Sequence, residues 1–166
     1  MGRSYLALVA LLLAAPAFAQ EPVGCDKFKW PLDRERTMLA NPVVVVASGS
    51  EVQQPLAAAL MVTLVPFADA NLPMAPERAP KSPDSYAGFM RVSALPRAAT
   101  YRITLSEGAW IDVVQDGHDV KSSAFSGAMG CDGVRKSVKF ELTAAPFIIE
   151  LSGTTAHAVA LVVTPD

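Results

Sequence analysis

The chain predicts an all-β fold: an antiparallel two-sheet sandwich, jelly-roll-like in outline, with one short helix near its start. Three observations predict it. Short segments with period-two alternation of apolar and polar residues recur along the chain, the mark of half-buried strands. Brief Gly-, Pro- and Asp-containing breakers separate them at roughly the ten-residue spacing of sandwiches and small barrels. Only one segment reads as helix, so the crossover helices of a parallel βαβ sheet are missing.

Met1–Ala19 begins with basic Arg3, continues through the apolar run Leu6–Ala15 and ends on Ala17-Phe18-Ala19, an A-x-A cleavage site. The run falls well short of the roughly 20 residues that cross a bilayer as a helix. It reads as a secretory signal peptide, which leaves a chain that starts at Gln20, outside the cytoplasm, with no membrane insertion after cleavage. Asp33-Arg-Glu-Arg-Thr-Met-Leu-Ala40 predicts two helical turns with Asp33 as N-cap, ended by Asn41-Pro42. Phe28, Trp30, Leu32 and Leu39 would fasten this segment to the domain.

Strands are expected at Val43–Ala47, Ala58–Val65, Tyr101–Leu105, Ala109–Gln115, Ser137–Thr143, Phe147–Ser152 and Ala158–Thr164. Tyr101, Ile103 and Leu105 should point inward, as should Ile111 and Val113. Val138, Phe140 and Leu142 alternate with Lys139 and Glu141, which should face water. Ser106-Glu-Gly108, Asp116-Gly117, Ala144-Ala-Pro146 and Ser152-Gly153-Thr read as hairpin turns. Pro66–Pro83, with five prolines, reads as an extended ordered loop. The expected organisation is a signal peptide at 1–19, an N-terminal segment with the helix at 20–57, and a β-sandwich domain at 58–166.

The full chain carries 14 basic and 16 acidic residues, a net charge of −2. A mildly acidic chain without a basic run offers nothing to a phosphate backbone, so nucleic acid is excluded as a partner. Cys25 and Cys131 are the two cysteines, and both lie in the exported part. With no metal-type spacing between them, an oxidising compartment favours a disulfide. Val23-Gly24-Cys25 superficially resembles the end of a lipobox. Pro22 precedes it and the apolar run has already ended, so Cys25 is read as a bridge half.

Residues 86–166 resemble the bacterial pre-peptidase C-terminal type of β-sandwich. The resemblance rests on Tyr101-Arg-Ile-Thr-Leu105, Gly108-Ala-Trp-Ile-Asp-Val-Val114, and Phe140-Glu-Leu142 followed by Phe147-Ile-Ile-Glu-Leu-Ser-Gly153. It implies a non-catalytic accessory domain of secreted enzymes. With Cys25-Asp-Lys-Phe-Lys-Trp-Pro-Leu32 and Cys131-Asp-Gly-Val-Arg-Lys-Ser-Val138, the chain as a whole is similar to small exported proteins of Gram-negative bacteria. Some of these carry a homogentisate-dioxygenase description, which would imply a mononuclear iron centre.

Trp110 is the first candidate binding residue. Strand phase places it outward beside Asp112, and exposed aromatics mark sugar-binding and protein-binding surfaces. The competing reading is that the segment with Phe28 and Trp30 packs over it. An iron site would need both histidines, His118 and His157, plus a carboxylate such as Asp116, Asp119 or Glu150. His118 reads instead as an exposed turn residue and His157 as a rim residue. Asp112, Asp116, Asp119 and Asp132 raise calcium, but their spacing lacks the alternating ligands of an EF-hand and suits turns. Gly127-Ala-Met-Gly130-Cys-Asp-Gly133 precedes a strand and lacks the P-loop lysine, so it is no phosphate cradle. Arg135-Lys136 beyond it reads as a solvated strand end. G-x-S-x-G, H-E-x-x-H and C-x-x-C are absent. The leading expectation is a non-enzymatic secreted or periplasmic module, without cofactor, that binds a protein or glycan through Trp110 and Asp112. A small iron enzyme using His118 and His157 and a structural envelope protein are the alternatives.

Overall fold

A computed structural model describes residues 21–41, 44–53 and 58–166. The proposed signal peptide and Val43 of the expected first strand lie outside these residues. Two six-stranded sheets form the body of the protein. The first runs β1 (Val44–Ala47), β3 (Leu60–Thr63), β12 (Ala158–Pro165), β6 (Ala99–Leu105), β10 (Lys136–Leu142) and β9 (Ser122–Gly127). The second runs β2 (Glu51–Val52), β5 (Tyr86–Val92), β11 (Phe147–Thr154), β7 (Trp110–Gln115) and β8 (His118–Asp119), with β4 (Val65–Pro66) also paired to β5. The all-β sandwich is therefore present. It also begins before residue 58, because β1 and β2 are edge strands of the two sheets.

The inward residues are those the alternation selects. Leu60, Val62, Tyr101, Ile103, Leu105, Val138, Phe140, Val159, Leu161 and Val163 from one sheet meet Met90, Val92, Ile111, Val113, Phe147, Ile149 and Leu151 from the other. Each such side chain contributes about 1.5–3 kcal/mol by leaving water. The Tyr101 hydroxyl escapes the apolar layer by donating to the Arg97 carbonyl at 2.9 Å.

Two expectations about connectivity need correction. The sheets are mixed, since β1 pairs in parallel with β3 and β2 in parallel with β5. The chain crosses from β1 to β2 in the other sheet before returning as β3, so β1 and β3 run the same way. The short breakers also do different work from that expected. Ser106–Gly108 leads from β6 to β7 and Ala144–Pro146 from β10 to β11, each a step between sheets. Sheets stack about 10 Å apart, a span that three or four extended residues reach. Ser152-Gly153-Thr is no turn: Gly153, at φ 67°, lies inside β11 at an irregularity in its pairing with β5. Asp116-Gly117 does form a hairpin, joining β7 to β8 with both residues at positive φ, as a type I′ turn requires.

The face of the first sheet that turns away from the core is covered as well. Thr104, Ser137, Val162 and Thr164 are fully buried there. The cover is the N-terminal segment with helix α1 (Asp33–Ala40). Trp30 Nε1 donates to Ser137 Oγ at 3.2 Å, the Lys29 amide to Ser126 Oγ at 3.0 Å, and Arg102 to the Pro31 carbonyl at 3.0 Å. Leu32, Cys131 and Val134 form a second small core with Phe28, Trp30 and Leu39 against it. The N-cap of α1 is Leu32, whose carbonyl accepts from the Arg36 amide at 2.8 Å, and not Asp33. Asp33 is the first helical residue, where its charge still opposes the helix dipole. Glu35, one residue into the helix from Arg34, faces the sheet. It is 1 % exposed and accepts the Thr164 hydroxyl at 2.6 Å, with Arg102 at 3.6 Å.

Cys25 is bonded to Cys131 across 106 residues of sequence. Next to the bridge, Gly24 donates to the Met129 carbonyl and Met129 to the Pro22 carbonyl, both at 2.8 Å. The disulfide fits maturation in an oxidising compartment. Among the described residues no helix is long and apolar enough to cross a membrane.

Two outcomes follow. Replacing both cysteines by serine should cost up to about 4–5 kcal/mol in urea unfolding, the loop-closure value for so long a loop. Amide exchange at Ser126 and Ser137 should rise first, because the bridge anchors their cover. Glu35→Ala should cost roughly 1–3 kcal/mol by stranding the Thr164 hydroxyl, read in the same assay, while Glu35→Gln keeps an acceptor and loses less.

Candidate functional site

Where β7 begins, the side chains of Trp110 and Asp112 fall on the same face of the strand, two residues apart. Trp110 Nε1 donates to Asp112 Oδ1 at 2.8 Å, which fixes the indole against the sheet. The ring is half-buried and is not the bare platform that strand phase suggests. Arg78 lies over it at 4.4 Å from the ring centre and Lys136 at 4.7 Å. Residues 26–40 are not its cover, since they occupy the first sheet. Arg78 arrives instead on the proline-rich stretch between β4 and β5, which crosses the outer face of the second sheet.

The Met74 amide of that stretch donates to Glu150 Oε1 at 2.8 Å, and Lys121 holds its Glu77 at 2.8 Å. Gly153 on β11 lies against Pro80, where an added Cβ would touch the Pro80 Cα at 4.0 Å. Glu150 and Asp112 are directly paired across β11 and β7. Both are buried, at 1 % and 8 % exposure. Burial pushes the Glu150 carboxyl up to about 6, opposed by the Met74 hydrogen bond and assisted by the charges of Asp112 and Asp119. Burial likewise raises Asp112, against the Trp110 hydrogen bond and a hydrogen bond from the Glu77 backbone amide. Among the described residues, the buried Glu150 Oε2 and Ser152 Oγ find no hydrogen-bond partner.

Beside Trp110 opens a cleft of about 530 Å³, the size range of small-ligand sites. One wall is Trp110, Arg78, Pro80 and Lys81; the other is β9 and β10, with Phe125, Ser126, Arg135 and Lys136. Phe125 is 62 % exposed, with Lys29 Nζ 5.0 Å from its ring centre. Arg135 reaches the carboxylate of Glu21, which also lines the cleft. Lys136 is not a solvated strand end. Its ammonium donates to the Ala109 carbonyl at 3.0 Å. Burial depresses its pKa first, then the positive charges of Arg78 and Arg135, with Asp112 acting the other way.

The remaining candidates lie elsewhere. His118 is exposed on the β7–β8 hairpin, opposite Gln115. His157 is exposed just before β12, its ring stacked on Tyr86 at 4.2 Å. Neither lines the cleft. Among the described residues no group of three or more His, Cys, Asp and Glu side chains could hold a metal ion. This covers the iron set with His118 and His157 and the calcium set with Asp112, Asp116, Asp119 and Asp132. Phe125, Arg78 and Glu21 escaped the sequence reading, and Glu150 entered it only as a possible iron carboxylate. Ser-Ser-Ala-Phe-Ser-Gly in β9 has no clean alternation, and Arg78 sits in a stretch with no periodicity at all. No family model, curated protein or solved structure matches the chain.

The buried carboxyl has a signed consequence. Its folded pKa lies above its unfolded value near 4.5, so protonation favours the folded state. That contribution is fully present below about 4.5 and is lost as pH rises through about 6. Glu150→Gln keeps an acceptor for Met74 without the buried charge. It should raise stability at pH 7.5 by on the order of 1–2 kcal/mol and flatten the decline between pH 4.5 and 6, measured by urea unfolding across that range.

Proposed function

We propose that this protein is an exported, non-enzymatic binding module of the periplasm or cell exterior that holds a glycan or protein partner in the cleft beside Trp110. Residues 1–19 act as its signal peptide, and the Cys25–Cys131 bond suits that destination. One observation carries the reading. A cleft of ligand size is framed by strand ends and lined by Trp110, Phe125 and a group of cations, a combination of rigid aromatic and charged groups typical of binding hot spots. Trp110 and Asp112 serve as the binding residues in different ways. The indole carries Arg78 and Lys136 over its ring, and Asp112 locks the indole in place through its hydrogen bond.

Such a site recognises and does not transform. The ring–cation stack immobilises long side chains before any ligand arrives, lowering the ordering cost of binding. Neither histidine stands near enough to line the cleft as a general base.

The test is a glycan array together with a panel of purified exported proteins, followed by calorimetry on any ligand found. Trp110→Ala should weaken binding by at least about thirtyfold, the loss expected for a central hot-spot residue, while circular dichroism shows the fold intact. A ligand bound as well by Trp110→Ala as by the parent protein would overturn the assignment.

A further inference from the structure

Charge in the cleft is unbalanced. Arg78, Lys81, Arg135 and Lys136 line it, and Glu21 is the one carboxylate among the described residues that does. Glu21 is 62 % exposed at its side chain and stands at the start of the described chain, held by Arg135. It is a tethered anion resting where the cations converge. Lys136 sits close enough to Arg78 and Arg135 to feel both as repulsion. Like charges gathered in a partly desolvated cleft create a potential that an incoming anion relieves.

The rest of the lining narrows the kind of anion. Phe125 presents an exposed apolar ring, and Ser122 is exposed on the same strand. A ring face with carbon-bound hydrogens, hydroxyls and a carboxylate matches that set of groups. A peptide would be expected to add a strand along the β9 edge. The continuation of that edge is already taken, since Val23 bridges Met129 two residues past the end of β9, and the Lys29 amide occupies the side-chain oxygen of Ser126 on the strand itself. We propose that the ligand of this cleft is a carboxylated saccharide, a uronate-type unit whose carboxylate displaces that of Glu21 from Arg135 while its ring lies on Phe125.

This identification rests on the binding-module reading, and the experiment separates the two. The mature chain is titrated calorimetrically with trigalacturonate, with its methyl ester and with triglutamate. Trigalacturonate should bind, the ester at least about tenfold more weakly, and the affinity should fall as salt is raised. Glu21→Gln should tighten trigalacturonate severalfold by removing the internal competitor, and Arg135→Gln should weaken it by about tenfold. Glu21 and Phe125 are exposed, so Glu21→Gln and Phe125→Ala keep the fold, and Phe125→Ala should weaken the uronate but not triglutamate. Equal binding of the ester would overturn the acidic ligand and leave the module standing. Triglutamate bound as tightly as the uronate would overturn the saccharide. Failure of all three probes, with a Trp110-dependent neutral ligand found on the array, would overturn this proposal alone. Failure of all three, with no Trp110-dependent ligand of any kind, would overturn both.

Discussion

A sheet that presents Thr104, Ser137, Val162 and Thr164 on its outer face cannot stand bare in water on that side, and the chain that shields it is too short to hold itself there. Helix α1 has eight residues, below the length at which a helix is stable alone. It stays because Cys25 ties the preceding segment to the β9–β10 connection and because Glu35 is hydrogen-bonded into the sheet. Remove that attachment and Leu32, Trp30 and Val134 lose their common cluster. The ordinary two-layer sandwich becomes, on this side, a three-layer structure fastened covalently.

The opposite sheet solves the same problem without a covalent bond. Its outer face carries Asp112, Val114, Glu150 and Ser152, and the proline-rich stretch from β4 to β5 lies across it. Prolines fix φ and lower the entropy lost on ordering, which suits a long cover whose one regular piece is a single 3-10 turn at Phe67–Asp69. Glu150 offers that stretch an acceptor at the cost of a buried charge. The cleft beside Trp110 lies where these two covers approach one another: Glu21 comes from the first and Arg78 from the second. Its shape therefore depends on both attachments, although every strand in its walls belongs to the sandwich.

Much of the sandwich could be read directly because burial on one face leaves a period-two imprint, as in Tyr101–Leu105 and Ser137–Thr143. That imprint says which side chains share a face, but nothing about whether the other face is wet. Lys136 and Glu150 were thus legible as outward and illegible as buried. Sheet membership was hidden for a related reason. A three-residue breaker serves equally as a hairpin or as a step between sheets, and the strands flanking Ser106–Gly108 and Ala144–Pro146 look the same either way. Trp110 and Asp112 could be chosen from the sequence as neighbours on one face. Arg78, 32 positions earlier in an aperiodic stretch, could not be placed over that ring by any local pattern.

The repeated stepping of the chain from one sheet to the other has a kinetic side. When successive strands seldom pair with each other, few ladders zip from a local turn, and most partners must be found across long stretches of chain. β3 waits for β12, and β5 for β11. Folds dominated by such distant pairings form slowly, in milliseconds to seconds, with apolar edges open meanwhile. In an oxidising compartment of the kind the disulfide fits, that interval is also when thiols meet. With two cysteines there is a single intramolecular pairing to find, so slow assembly carries no risk of a scrambled bridge within the chain.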